Sequence, residues 1–265
     1  MGTMVKSVST HAAEPVVTRR RGRPRANQIE STSLGPDRIF KAALDLIDAH
    51  GLAAFNIRAL AVLLGVAPAA IYWHVPNRDS LVSGAVSLAL RGVSDNLPSV
   101  NWQDTLRELM KRFRAALRQH PHLAPAVAGE MTSNAQFDAT LLDSIIAALQ
   151  AAHFEGRSLV DAFNVFIAAM CGFATLEISA APAEGMQGWR AACMNRIDAI
   201  DARQHPHLHG ERALLRNRAF LLRWSDGMEQ PLDEGFEAWM DVIVEGLAAR
   251  SLACRGSTLD RGRSA

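Results

Sequence analysis

Between Asn56 and Leu81 the chain reads NIRALAVLLGVAPAAIYWHVPNRDSL, and no other stretch restricts the fold as tightly. Ile57, Leu60, Ala61 and Leu64 recur at the spacing that lines one face of a helix. Asn56 stands just ahead of them, where a side-chain oxygen caps the free N–H groups of a first turn. Gly65 ends the run, because a residue tolerant of positive φ closes that end at least cost. Val66 and Ala67 make a short connection. Pro68 then opens a second helix, where a fixed φ helps and the missing N–H costs nothing. Two short helices joined by a tight Gly turn form the helix-turn-helix plan, whose second helix enters the DNA major groove.

The flanking sequence completes a small helical domain. From about Pro36 to His50, Ile39, Phe40, Ala43, Leu44 and Ile47 form one apolar stripe, with Asp37 at the positive end and Gly51 closing it. After the reading segment, Pro76-Asn77 begin a further helix with Leu81, Val82, Ala85, Val86, Leu88 and Ala89 as its apolar positions.

These residues are similar to the DNA-binding domain of the tetracycline repressor (TetR) family of bacterial regulators, over residues 37–81. The family shows an aromatic residue, then His, then an aliphatic or aromatic residue after the turn, followed by a cation and a Leu. Tyr72, His74, Val75, Arg78 and Leu81 occupy those places. Two positions depart from the pattern. Arg78 stands where Lys is usual, and Ala67 stands where a capping Ser or Thr is usual. The resemblance implies that Arg58, on the first helix of the motif, points into the major groove, where Arg bonds guanine O6 and N7 together. It implies that Pro68, Ala69 and Ala70 lead the reading helix and meet thymine methyl groups. Tyr72, Trp73, His74 and Arg78 are the expected phosphate contacts, and Ile71 and Val75 the buried anchors. The helix-turn-helix as a whole spans Asn56 to Val75.

Charge supports a polyanion-binding front. Residues 1–85 hold ten cations (Lys6, Arg19, Arg20, Arg21, Arg23, Arg25, Arg38, Lys41, Arg58, Arg78) against six acids (Glu14, Glu30, Asp37, Asp45, Asp48, Asp79), which is +4. The whole chain is +1, so the remainder carries 1 − 4 = −3. Within residues 1–35, a polar stretch expected to be a disordered basic arm, RRRGRPRA resembles an AT-hook. Gly22 and Pro24 keep the backbone narrow and extended, and arginines such as Arg23 and Arg25 reach along an A·T-rich minor groove.

From Val100 onward the sequence reads as helices and no strand. Helices are expected at about 101–119 (with Asn101 as cap and Asp104 as the acid of a capping box), 134–153, 158–180 and 231–250. HPHLAP breaks the chain at 120–125, and one or two irregular helices with a mobile loop are expected between 181 and 230. The fold class is therefore all-α: a three-helix DNA-binding domain (36–83), a larger ligand-binding and dimerisation domain (84–251) and a disordered tail (252–265). The helices at 158–180 and 231–250 are apolar over more than one face, which in the family marks a four-helix bundle with a two-fold mate. No run reaches the roughly 18 uninterrupted apolar residues of a membrane span. The N-terminus lacks an apolar signal core, so a cytoplasmic protein is expected. Cys171, Cys193 and Cys254 suggest neither a disulfide framework nor a zinc site.

An effector cavity, where present, falls between the body helices. Met110, Phe113, Met131, Phe137, Phe166, Met170 and Phe173 are its candidate wall residues, since adaptable apolar side chains suit such a cavity and equally suit a core. Enzyme signals are poor. His205, His207 and His209, with Glu211, form the one His cluster, in an expected loop with poor geometry for a fixed tetrahedral site. No phosphate loop stands on a strand, and no nucleophile has a visible base. The expectation is a homodimeric regulator that needs no cofactor, is not an enzyme, binds a palindromic double-stranded operator and is released by a small hydrophobic effector. An architectural binder of A·T-rich DNA is the alternative, and an all-α metalloenzyme a weaker one.

Overall fold

A computed structural model describes residues 1–2, 34–98, 101–133, 138–178 and 185–263, and Leu34–Ala265 makes up one compact unit. The basic arm with Arg23 and Arg25, the whole of Phe137 and the side chain of Met131 lie outside the described residues. Every regular element among those described is helical.

The head begins with α1 (Pro36–His50), whose stripe Ile39, Phe40, Ala43, Leu44 and Ile47 is buried. α2 (Ile57–Leu64) starts where Asn56 Oδ1 accepts the Ala59 N–H at 2.9 Å, and it stops at Gly65, which takes the left-handed φ of 68°. α3 (Pro68–Tyr72) is a five-residue helix whose start, at Ala67, has no side-chain cap. α4 (Arg78–Ala89) is capped by Asn77, whose Oδ1 accepts the Ser80 N–H at 2.7 Å. α1 lies along α4 in the most extensive helix pair of the molecule. That approach requires Gly84, because a Cβ there would stand 2.2 Å from the Phe40 ring.

The body is a bundle around α8 (Gly156–Ile178), which packs on α5 (Trp102–Gln119), α6 (Ala124–Ser133), α7 (Ala139–Ala151) and α11 (Asp233–Arg263). Asn101 caps α5 as expected, accepting the Asp104 N–H at 2.8 Å; the Asp104 carboxylate in turn accepts from the Asn101 side-chain amide. Phe113 of α5 and Phe166 of α8 are fully buried, each contributing roughly 1.5–3 kcal/mol of transfer free energy. The remaining elements are α9 (Met186–Asp198) and α10 (Pro206–Leu215).

HPHLAP ends α5 at Gln119 as expected, but two expectations after it need correcting. A helix that was not expected follows at once: Pro121 opens a 3-10 turn (Pro121–Leu123), and Pro125 falls in the first turn of α6, where proline is tolerated. The next helix therefore begins at Ala139, with Asp138 Oδ1 accepting the Thr140 and Leu141 N–H groups. The His205–His209 run opens a helix and not a loop, because Pro206 fits its first turn. The last helix is drawn past Arg250 to Arg263. Along it, Ser251 Oγ donates to Ala152 O at 2.6 Å and Cys254 packs on the core.

α8 has a mean hydropathy of 1.8 over its most apolar 18-residue window, long and apolar enough to cross a membrane by composition. Arg157, Asp161, Asn164 and Glu177 interrupt the run, and the helix holds the centre of the bundle. Its high hydropathy has a second source, since Val160, Val165 and Leu176 stay exposed on its outer side.

Candidate nucleic-acid interface and effector cavity

In α3 and the turn after it, residues four apart face inward and the three between them face outward. Ile71 is 0% and Val75 2% exposed, locked against the head core, and this pins the register of the segment between them. Pro68, Ala69 and His74 are exposed as a result, with Tyr72 50% and Trp73 88% exposed. Ala70 is half-buried. A tyrosine and a tryptophan open to solvent bring a hydroxyl, an indole N–H and large apolar faces to one surface. Arg58, on α2, is exposed as well, a long donor fork on the same hairpin. Beyond its buried pair Leu60 and Ala61, α2 also exposes Val62 and Leu63. The sequence reading left these two unassigned, although their place off the apolar stripe was the available signal.

Arg78, an expected phosphate contact, is bonded within the head. Its Nε donates to Phe55 O at 3.3 Å and its Nη2 to Leu52 O at 3.0 Å, with the guanidinium 5.7 Å from the Phe55 ring centroid. These bonds tie the start of α4 to the α1–α2 connection. An arginine forms both bonds at once through its planar fork, which a lysine's single ammonium does less well. The substitution of Arg for the usual cation thus has a structural use here, and the exposed side chain keeps further N–H donors.

In the body, Met110, Phe113, Phe166, Met170 and Phe173 are all buried, on the adjoining helices α5 and α8. Phe173 centres an aromatic group with Phe220 at 5.1 Å, Phe236 at 5.4 Å and Trp239 at 6.3 Å between ring centroids. Trp239 Nε1 donates to Ala169 O at 3.2 Å, which satisfies its one polar atom. Three members of that group come from beyond residue 216, and helix periodicity could not have brought them to Phe173.

Beside the aromatic group lies a charge cluster that the sequence reading missed. Glu177 is 0% exposed and receives Arg114 as a fork, Nε at 2.7 Å and Nη2 at 2.6 Å. It also accepts the Leu232 N–H at 2.8 Å, and its backbone carbonyl accepts the Gly227 N–H at 2.7 Å. Arg114 additionally donates to Asp233 and stacks 4.5 Å from the Phe236 ring. The hydrogen bond to Glu177 raises the Arg114 guanidinium above its ordinary pKa, against the opposing effect of burial. Arg223 moves the other way, lowered by burial, with Nε on Ser225 O and Nη2 on Gln230 O. A lone acid within the apolar run GFATLEI was the one sequence signal for this cluster.

The histidines at 205–209 do not converge. His205 precedes α10, and His207 and His209 lie two apart on it, a spacing that points side chains to different faces. No group of three metal-binding side chains occurs among the described residues. Nearby, Asp201 accepts the Arg203 and Gln204 N–H groups, which hold its carboxyl below the usual range. Burial pushes the Cys171 thiol up to about 11.

Known proteins share both halves of this architecture. Residues 39–85 match the family described as bacterial regulatory proteins, tetR family, and residues 96–251 match the tetracyclin repressor-like C-terminal domain. The tetracycline repressor protein class A from transposon 1721 of Escherichia coli is 28% identical over 237 residues, covering 84% of this chain and 95% of that protein. The class D repressor of Escherichia coli is 27% identical over 199 residues, covering 69% and 88%. Among solved structures, the Streptomyces coelicolor protein ActR in complex with actinorhodin superposes with a TM-score of 0.62 at 21% identity, covering 82% of this chain and 97% of that one. BioQ with its double-stranded DNA operator gives 0.57 at 22%, covering 82% and 99%. At such identities the structural likeness speaks for the fold.

Proposed function

Because the chain belongs to the tetR family of bacterial regulatory proteins, we propose that it is a transcriptional repressor that holds a palindromic operator as a homodimer and releases it on binding a small apolar effector. The observation that carries this reading is the outward presentation of Pro68, Ala69, Tyr72, Trp73 and His74 by a segment whose Ile71 and Val75 are locked inward, with Arg58 alongside. Arg58 reads a guanine edge, Pro68, Ala69 and Ala70 meet thymine methyls, and Tyr72, Trp73, His74 and the free donors of Arg78 position phosphates. Head (36–83) and body (84–251) divide these tasks. The protein acts in the cytoplasm, where its DNA is, and its named relatives are regulators and not enzymes.

Dimerisation falls to the outer faces of α8 and α11. Val165 and Leu176 on the first and Val242 on the second are exposed, and a Cβ built on Gly172 or Gly246 meets nothing within 4 Å. Helices with small and apolar outer residues pack closely against copies of themselves. The effector site draws on Met110, Phe113, Phe166, Met170 and Phe173, with Met131 and Phe137 as further candidates. Relatives support the pairing of activities: one is named for tetracycline, one was solved with actinorhodin and one with its operator. The arm, through Arg23 and Arg25, adds minor-groove contacts.

Selection of bound DNA from a random library tests the reading. The wild-type protein should select a palindrome, and Arg58→Ala should relax one base pair per half-site, weakening discrimination there by roughly 1–3 kcal/mol. A selected motif unchanged in the variant removes Arg58 from readout; broad A·T-rich coverage with no palindrome favours the architectural alternative. An inducer found by screening against the protein–operator complex must bind the free protein about 5- to 150-fold more tightly than the DNA complex, since linkage is reciprocal.

A further inference from the structure

The head joins the body through α4, which also packs on α6, through the exposed pair Asp37–Arg91, and at the end of α1, where two histidine rings bridge the two parts. His120 Nδ1 donates to Asp48 Oδ2 at 2.7 Å. His122 Nδ1 donates to two backbone carbonyls, Ile47 O at 3.2 Å and Asp48 O at 3.0 Å. Both histidines belong to the body, flanking Pro121 in the 3-10 turn between α5 and α6, and Ile47 and Asp48 belong to the last turn of α1 in the head. Ile47 O also accepts the Gly51 N–H that closes α1, at 2.7 Å, whereas carbonyls of the last turn such as Asp48 O lack a partner within the helix, so an incoming N–H is the natural way to hold that end. From this geometry we infer that His120, His122 and Asp48 form a latch that sets the angle of the head on the body, and so the spacing of the two half-sites a dimer accepts. The inference rests on the reading of the chain as a dimeric operator-binding regulator.

Two features make the latch stiff on both sides. On the body side, Leu123 and Ala124 next to the rings are buried, and α5 and α6 both pack on α8, so the turn is a fixed mount. On the head side, α1 lies along α4 in the most extensive helix pair, so gripping the end of α1 grips the head as a block. Hydrogen bonds of about 3 Å weaken steeply once stretched by a few tenths of an ångström or bent. One base pair of spacer moves a half-site by about 3.4 Å along the duplex and turns it by roughly a tenth of a revolution. A head swing large enough to follow that change breaks the latch.

The same joint is built to be released. Asp48 Oδ1 is buried and has no hydrogen-bond partner among the described residues, while its sister oxygen holds His120. A buried carboxylate oxygen without a partner is unfavourable. The Asp48 side chain is 29% exposed as a whole, so opening the latch hydrates this oxygen readily and costs less than breaking a fully satisfied joint would. An effector that binds the unlatched arrangement more tightly can draw on that lowered cost.

The test uses the full-length protein and the operator it selects, together with versions whose central spacer is one base pair longer or shorter. The wild type should lose about tenfold or more in affinity on either altered spacer. The double variant His120→Ala, His122→Ala should bind a single half-site as the wild type does, yet distinguish the three spacers by less than about threefold. Asp48→Ala should flatten the profile in the same way, whereas Asp48→Asn, which keeps an oxygen acceptor for His120, should retain most of it. Thermal melts identify any variant that fails to fold, and Asp48→Ala and His122→Ala singly then decide. A folded variant with the wild-type spacer profile overturns the latch and leaves the regulator reading intact. A wild-type protein that selects no operator overturns both.

Discussion

The head and the region around Glu177 face the same problem, polar groups at helix ends that need partners, and answer it in opposite ways. In the head the partner comes from next door: Asn56 caps α2 and Asn77 caps α4, each from three residues away. At the start of α11 the Leu232 N–H is accepted by Glu177, a residue 55 positions earlier on α8, and Glu177 is held in turn by Arg114 on α5. A local cap fails alone and cheaply. A long-range cap built from buried charge ties three helices together, and losing one member strands the others.

The sharpest way to break that contrast is Glu177→Ala. It leaves Arg114, only 11% exposed at its side chain, without its fork partner, and should lower unfolding free energy by roughly 3–5 kcal/mol in urea titrations. The double variant Glu177→Ala, Arg114→Met should recover a large part of that loss, because neither charge then stays buried unpaired. A double variant as unstable as the single one would mean that the Leu232 and Gly227 contacts, and not the ion pair, hold the region.

Next should come packing where α4 leaves the head along α1. Gly84→Ala drives a methyl into the Phe40 ring and should destabilise by about 1–3 kcal/mol, seen as a lower melting temperature. A neutral outcome would show that Phe40 has room to move away from α4. Smallest of all should be Asn56→Ala, at about 1 kcal/mol for a lost N-cap. If Asn56→Ala rivalled Glu177→Ala, the distinction between near and distant caps would collapse.

These magnitudes follow the line between what could and could not be read beforehand. The head was open to reading because its signals lie within one or two turns of what they control: Asn56 and Gly65 bracket α2, Pro68 opens α3, and Ile71 and Val75 fall inward one turn apart. Even there Arg78 was half understood, since its bonds to Leu52 and Phe55 cross 26 and 23 residues. In the body, periodicity placed α5, its stop at HPHLAP and α8 but missed α6, because two prolines one helical turn apart suit a helix start as well as a helix stop. The candidate wall residues Met110, Phe113, Phe166, Met170 and Phe173 proved buried, as periodicity implies for cavity and core alike.

By itself, then, the sequence determined the helical class and the hairpin, because helix caps, turns and 3.6-residue stripes are local matters of backbone sterics and nearest-turn contacts, while the outward face of α3 was legible through the resemblance to a known family. Only the tertiary structure decided that Glu177 lies at the meeting of α5, α8 and α11, that Phe173 collects Phe220, Phe236 and Trp239, and that His120 and His122 seize the end of α1. Each of those depends on which helix faces spend their apolar surface on one another. That choice is made by the whole bundle at once, and it brings together residues whose separation along the chain carries no trace of their meeting.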